Sequence, residues 1–138
     1  MNRRLLIGVI AIMIAGVGLV IAGVIVRPAF ITLGIGVVLV GAWLYMLWMV
    51  RKKKTSLFGE QMEPGKAERR YKILKVSVLA AGILLLLGII GTVMHNALYA
   101  VNEIEEPVFF TVAIVGLFGF VIATAGGWIF YFIGRKAA

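Results

Sequence analysis

Long uncharged apolar runs alternate with short polar punctuation along this chain, and the runs have membrane length. Leu5 to Val26 is a first run of 22 residues, closed by Arg27-Pro28. Ala29 to Val50 is a second run of 22, closed by Arg51-Lys52-Lys53-Lys54. A polar stretch reaches Lys72, and a third run follows from Ile73 to Met94. Lys75 lies close enough to its end to snorkel to an interface. A mixed, acidic segment from His95 to Glu106 precedes the fourth run, Pro107 to Gly134, which ends in Arg135-Lys136. About 20 apolar residues cross a hydrocarbon core roughly 30 Å thick. The pattern therefore predicts spans at about 5–26, 29–50, 73–94 and 107–134, a loop at 51–72 and another at 95–106.

Arg3 and Arg4 ahead of the first run resemble the charged start of a signal peptide. The apolar part of such a peptide is only about 7–15 residues long. This run is longer and has no A-x-A cleavage pattern before Arg27, so it is expected to be retained as a span. The two-residue outer turn Arg27-Pro28 makes spans one and two antiparallel neighbours. The expected fold is an all-α integral membrane four-helix bundle, built from two transmembrane hairpins, with residues 1–138 forming a single membrane domain.

Composition agrees with the pattern. Hydrophobic residues make up 62% of the chain against 14% charged, and mean hydropathy is +1.07. Soluble domains are about half apolar and a quarter charged. An ordinary soluble domain, a disordered chain and a nucleic-acid-binding domain are thereby excluded. The net charge of +8 sits at the ends of the apolar runs, where it encodes topology. The central loop and its flanks carry nine basic residues, the two termini carry two each, and only Arg27 falls on the other side. The positive-inside rule then places both termini and the central loop in the cytoplasm, with Glu103, Glu105 and Glu106 outside. A plasma or inner membrane location is expected. Aromatic residues mark the interfaces: Trp43, Tyr45 and Trp48 near the inner end of span two, and Trp128, Tyr131 and Phe132 near that of span four.

Spans two and four both open on P-x-F-x-T, at Pro28 to Thr32 and Pro107 to Thr111, and both end in aromatics and basic residues. The distance from Pro to the closing Arg is 23 residues in one and 28 in the other. A duplicated hairpin would produce this pattern. So would convergence on Pro in the first helical turn, where no N–H is needed.

Small residues mark candidate packing faces. Gly119, Ala123 and Gly127 stand at four-residue spacing in span four, with Gly116 and Gly126 beside them. Span three has Ser77, Ala81, Gly88 and Thr92, and span one has Ala11, Ala15, Gly18 and Ala22. Such positions let membrane helices approach closely. They serve packing within the bundle or, on span four above all, docking onto another subunit.

Chemistry is sparse. There is no Cys, and His95 is the single His. No catalytic, cofactor-binding or metal site is expected, and the chain is expected not to be an enzyme. No charge lies near the centre of a span, which argues against an ion-coupled transporter. Small multidrug exporters also have four spans but use a membrane-embedded Glu that this chain lacks. Glu103-Ile104-Glu105 resembles the outward E-x-E loop of reductive dehalogenase membrane anchors, which are shorter and have fewer spans, and no membership follows.

Two surfaces are expected to bind partners. One comprises Glu103, Glu105 and Glu106 with Gly119, Ala123 and Gly127, facing other membrane subunits or a second copy of the chain. The other is Arg51, Lys52, Lys53 and Lys54, which suits anionic phospholipids. The expected function is that of an accessory or anchoring subunit of a larger membrane complex. A self-assembling, holin-like pore or small channel is the alternative, and a small transporter is a weaker one.

Overall fold

The computed structural model describes residues 3–25, 29–53, 57–58, 62–102 and 107–136. They form four helices: α1 (Arg3–Ile25), α2 (Ala29–Lys53), α3 (Pro64–Asn102) and α4 (Pro107–Lys136). No strand occurs among the described residues. The physical reason is the one the apolar runs impose. A helix satisfies its backbone polar groups within a single segment, as hydrocarbon demands. The expected outer turn Arg27-Pro28 and the acidic residues Glu103 to Glu106 lie outside the described residues.

Among the described residues, three helices are long and apolar enough to cross a membrane, over Leu33–Lys52, Pro64–Val101 and Pro107–Lys136. This differs from the four spans expected. In α1 the described apolar stretch is shorter, Ile7–Ala22. The helix itself has 23 residues, but the side chains of its outermost turns fall outside those described.

The helices outrun the apolar segments. α3 has 39 residues, about 58 Å at 1.5 Å per residue, roughly twice the hydrocarbon thickness. It takes in residues expected to be loop at both ends, from Pro64 before the apolar run to Asn102 after it. Pro64-Gly65 reads locally as a turn, yet it opens the helix. Pro suits the first helical position because its missing N–H has no partner there anyway. The Glu63 carbonyl accepts the N–H groups of both Lys66 and Ala67 at 3.0 Å. Lys66, Ala67, Glu68, Arg69 and Arg70 are all strong helix formers. Glu63 also pairs with Lys66 at 3.0 Å across exposed surface. The loop expected over 51–72 is therefore shorter, since α2 runs on to Lys53.

The chain divides into two compact units, the first ending at Tyr71 within α3 and the second running from Lys72 to Lys136. In the first, α1 and α2 pack antiparallel, with Gly16 opposite Gly34 and Met13 opposite Gly41. Met46, Met49, Val50, Leu57, Phe58 and Ala67 are buried, and Phe58 is 0% exposed. The Tyr71 hydroxyl donates to the Val50 carbonyl at 3.0 Å. That bond ties the first turns of α3 to the end of α2. In the second unit α3 and α4 are antiparallel, with Gly88 opposite Gly116 and Gly91 opposite Ala113.

Candidate functional site

Close helix contact is what these residues build, and glycine makes it possible in both units. A methyl group at Gly34 would lie 2.5 Å from the Gly16 carbonyl oxygen and 2.6 Å from the Val20 nitrogen. One at Gly16 would lie 2.9 Å from the Gly34 oxygen. In the second unit, a methyl at Gly91 would lie 2.5 Å from the Ala113 nitrogen, and one at Gly116 would meet the Gly88 backbone and lie 2.8 Å from the Leu84 oxygen. These neighbours are backbone atoms, which cannot swing aside. Each unit is thus closed by a pair of facing glycines, Gly16 with Gly34 and Gly88 with Gly116.

The buried seam of α4 differs from the ridge expected on it. Ala113, Phe120, Gly127 and Gly134 are buried at every seventh residue, with Gly116, Thr124 and Tyr131 between them. Leu74, Ala81 and Gly88 repeat the seven-residue interval on α3. A period of 3.5 keeps a seam facing one neighbour along a left-handed crossing. Four-residue spacing advances about 40° around the helix at each step. Gly127 accordingly lies on the seam, while Gly119 and Ala123 are only half-buried. A methyl at Gly119 would meet only the Leu84 side chain, at 3.1 Å, and one at Gly126 would meet nothing within 4 Å.

Span one is corrected in the same way. Its contact residue is Gly16, whereas Ala11, Ala15 and Gly18 are exposed and Ala22 is half-buried. Gly34 on α2 carries the opposite side of that contact and went unmarked in the sequence. Its signal was there, in the seven-residue interval from Gly34 to Gly41.

Polar groups within the helices mostly serve themselves. Ser77, Thr92 and Thr111 each donate to the carbonyl four residues back, at 3.1, 2.8 and 2.7 Å. Thr124 differs from these three. It is 1% exposed, and its hydroxyl has no hydrogen-bond partner. A buried polar group left unpaired costs about 1–3 kcal/mol. Thr124→Val replaces the hydroxyl with a methyl of similar size. It is expected to raise stability by about 1 kcal/mol, read as a higher unfolding midpoint in detergent. A fall in the midpoint would show that the hydroxyl is satisfied in the folded protein.

The remaining candidates divide by place. His95 is half-buried, with its ring 5.2 Å from that of Phe110. No group of three or more His, Cys, Asp or Glu able to hold a metal occurs among the described residues. Glu103, Glu105 and Glu106, expected to face a partner, lie outside the described residues, as does Lys54. Arg51 and Lys52 are exposed at the end of α2, and Lys53 is its last residue. The Lys52 ammonium lies 5.8 Å from the centre of the Trp48 ring, and Trp48 packs at 5.5 Å against Tyr45. At the end of α4, Trp128, Tyr131 and Phe132 cluster at 5.5–5.9 Å, and Arg135 donates to the Tyr131 hydroxyl at 3.4 Å. Rings beside basic side chains are the arrangement of a membrane–water boundary.

No family model matches the chain, and neither a curated protein nor a solved structure matches it.

Proposed function

We propose that the chain is a four-span membrane protein of two helical hairpins, with both termini in the cytoplasm. In this reading it is a non-catalytic accessory or anchoring subunit of a larger membrane complex in the plasma or inner membrane. Membrane placement is supported by large apolar side chains turned outward on α3 and α4, among them Ile83, Leu86, Ile90, Phe118 and Ile122. Hydrocarbon, unlike water, imposes no penalty on such a surface.

The observation that carries the subunit reading lies on α1. Gly8, Ala11, Ala15 and Gly18 are exposed in a single row at intervals of three, four and three residues. Methyl groups at Gly8 and Gly18 would meet nothing within 4 Å. The face is shaped for close helix approach and stands apart from the Gly16 contact with α2.

Gentle detergent extraction of the tagged protein from its host, followed by mass spectrometry, tests the reading. A second membrane protein is expected at fixed stoichiometry, and Ala11→Leu with Ala15→Leu is expected to release it while leaving the thermal midpoint within a few degrees. Recovery of the wild type as a defined homo-oligomer that makes liposomes leak would replace the subunit reading with that of a pore.

A further inference from the structure

The outward face of α3 has the pattern of a coiled-coil seam. We propose that it docks against the same face of a second copy of this chain, giving a parallel two-helix homodimer in the membrane. The knobs are Val76, Leu79, Ile83, Leu86, Ile90 and Val93. The inference rests on the membrane placement proposed above, and it leaves the α1 row free for another subunit.

The pairing of α3 with α4 defines the register. Leu74, Ala81 and Gly88 are buried at seven-residue intervals, and Val78 and Gly91 are buried beside them. Gly88 and Gly91 meet the α4 backbone, and Leu84 meets Gly116 and Gly119. With Val76 set at position a of a heptad, all six of these residues fall at b, c or f. Positions a and d, at 76, 79, 83, 86, 90 and 93, then turn away from α4. Those six side chains are 51–65% exposed, whereas the other large apolar side chains described from 73 to 94 reach at most 48%. A seven-residue seam winds α3 slightly about α4, so the opposite line also holds its heptad register instead of spiralling. Exposure and spacing pick out the same six residues.

Their identities fit a parallel pair. Position a holds Val76, Ile83 and Ile90, all β-branched, and position d holds Leu79, Leu86 and Val93. β-branched residues at a with Leu at d favour two parallel strands. The outward line of α4 shares the β-branched spacing at Val115, Ile122 and Ile129 but carries Phe118, Ala125 and Phe132 where leucine belongs. Stiff β-branched side chains have little rotamer freedom to lose, which counts where association depends on packing alone. From Val76 to Val93 the seam covers about 26 Å at 1.5 Å per residue, most of a hydrocarbon core roughly 30 Å thick. A second copy is the occupant this geometry selects. The same charge distribution inserts every copy in the same direction, so α3 meets α3 in parallel. A two-fold axis along the membrane normal sets a against a and d against d over all three heptads. No charged residue lies between Val76 and Val93, so no like charges oppose one another across that axis.

The chain has no Cys, so single cysteines in the full-length protein report on the face directly. Isolated membranes are oxidised with copper phenanthroline. Ile83→Cys, Leu86→Cys and Ile90→Cys are each expected to give disulfide-linked dimers, because facing a and d positions come within the short reach of a disulfide. Ile122 on α4 and Ala15 on α1 are exposed as well, and Ile122→Cys and Ala15→Cys are expected to give none. Dimer affinity in lipid vesicles, read by energy transfer between labelled copies, is the second measurement. Ile83→Ala with Ile90→Ala is expected to weaken the dimer at least about tenfold while leaving the thermal midpoint in place, since both side chains are exposed in the single chain. Ile122→Ala with Ile129→Ala makes the same truncations on α4 and is expected to leave the affinity unchanged. Crosslinking at 122 or 15 that matches that at 83, a monomeric wild type, or equal weakening by the two double variants would overturn the α3 dimer. Carbonate extraction of the host membranes separates the two proposals. A protein released by carbonate refutes the membrane placement itself, whereas one retained as a monomer refutes only the dimer.

Discussion

Gly34→Ala is expected to destabilise the first unit by about 2 kcal/mol, within the range of roughly 1–3 kcal/mol typical of overpacked cores. The added methyl would lie 2.5 Å from the Gly16 oxygen and 2.6 Å from the Val20 nitrogen. Both are main-chain atoms of α1, so relief requires the two helices to separate along their contact. Separation also forfeits the dispersion contacts that hold membrane helices together, because lipid supplies no hydrophobic drive to restore them. Gly36→Ala is the matched control. It lies two residues away on the same helix, and its methyl would meet nothing within 4 Å. Alanine is the better helix former by roughly 0.8–1.0 kcal/mol, so this variant is expected to be neutral or slightly stabilising. Reversible unfolding by dodecyl sulfate in mixed micelles reads both. Equal midpoints for the two variants would refute the Gly16–Gly34 contact.

Gly116→Ala and Gly91→Ala are expected to have effects of the same size on the second unit. The Gly116 methyl would meet the Gly88 backbone, with the Gly88 Cα at 2.6 Å, and the Gly91 methyl would lie 2.5 Å from the Ala113 nitrogen. Gly116 and Gly91 lie on facing helices within one seam. Their losses are accordingly expected to fall short of additive in the double variant, since a seam opened once accommodates the second methyl. Gly126→Ala, on the open side of α4, is expected to leave the midpoint unchanged or slightly raised. A drop for Gly126→Ala as large as that for Gly116→Ala would mean that the seam faces another direction.

These glycines also show what could be read in advance. Every helix was legible, because apolar runs of about 22 residues closed by charges admit little else. The ends were less so. α3 extends into a basic segment and a mixed one because helix formers continue across the polar boundary, and hydropathy marks where apolar character stops rather than where the helix stops. The packing residues were legible as a set but not as faces. Gly119, Ala123 and Gly127 form a row in the sequence, yet Gly116, Phe120 and Gly127 are the buried positions. Span one offers Ala11, Ala15 and Gly18 as a row, yet Gly16 between them makes the contact.

The amino-acid sequence by itself determined that the chain is helical, where its apolar runs lie and at which ends its cations lie. These follow from run length and charge position, which are local quantities. Only the tertiary structure decided which small residues are used. A single helix shows small residues on several faces, and the choice among them depends on the backbone opposite. Gly16 is selected by Gly34, and Gly116 by Gly88. Tertiary structure likewise joined the end of α2 to the first turns of α3 through the Tyr71–Val50 bond. A hydrogen bond between residues 21 apart leaves no periodic trace in the sequence.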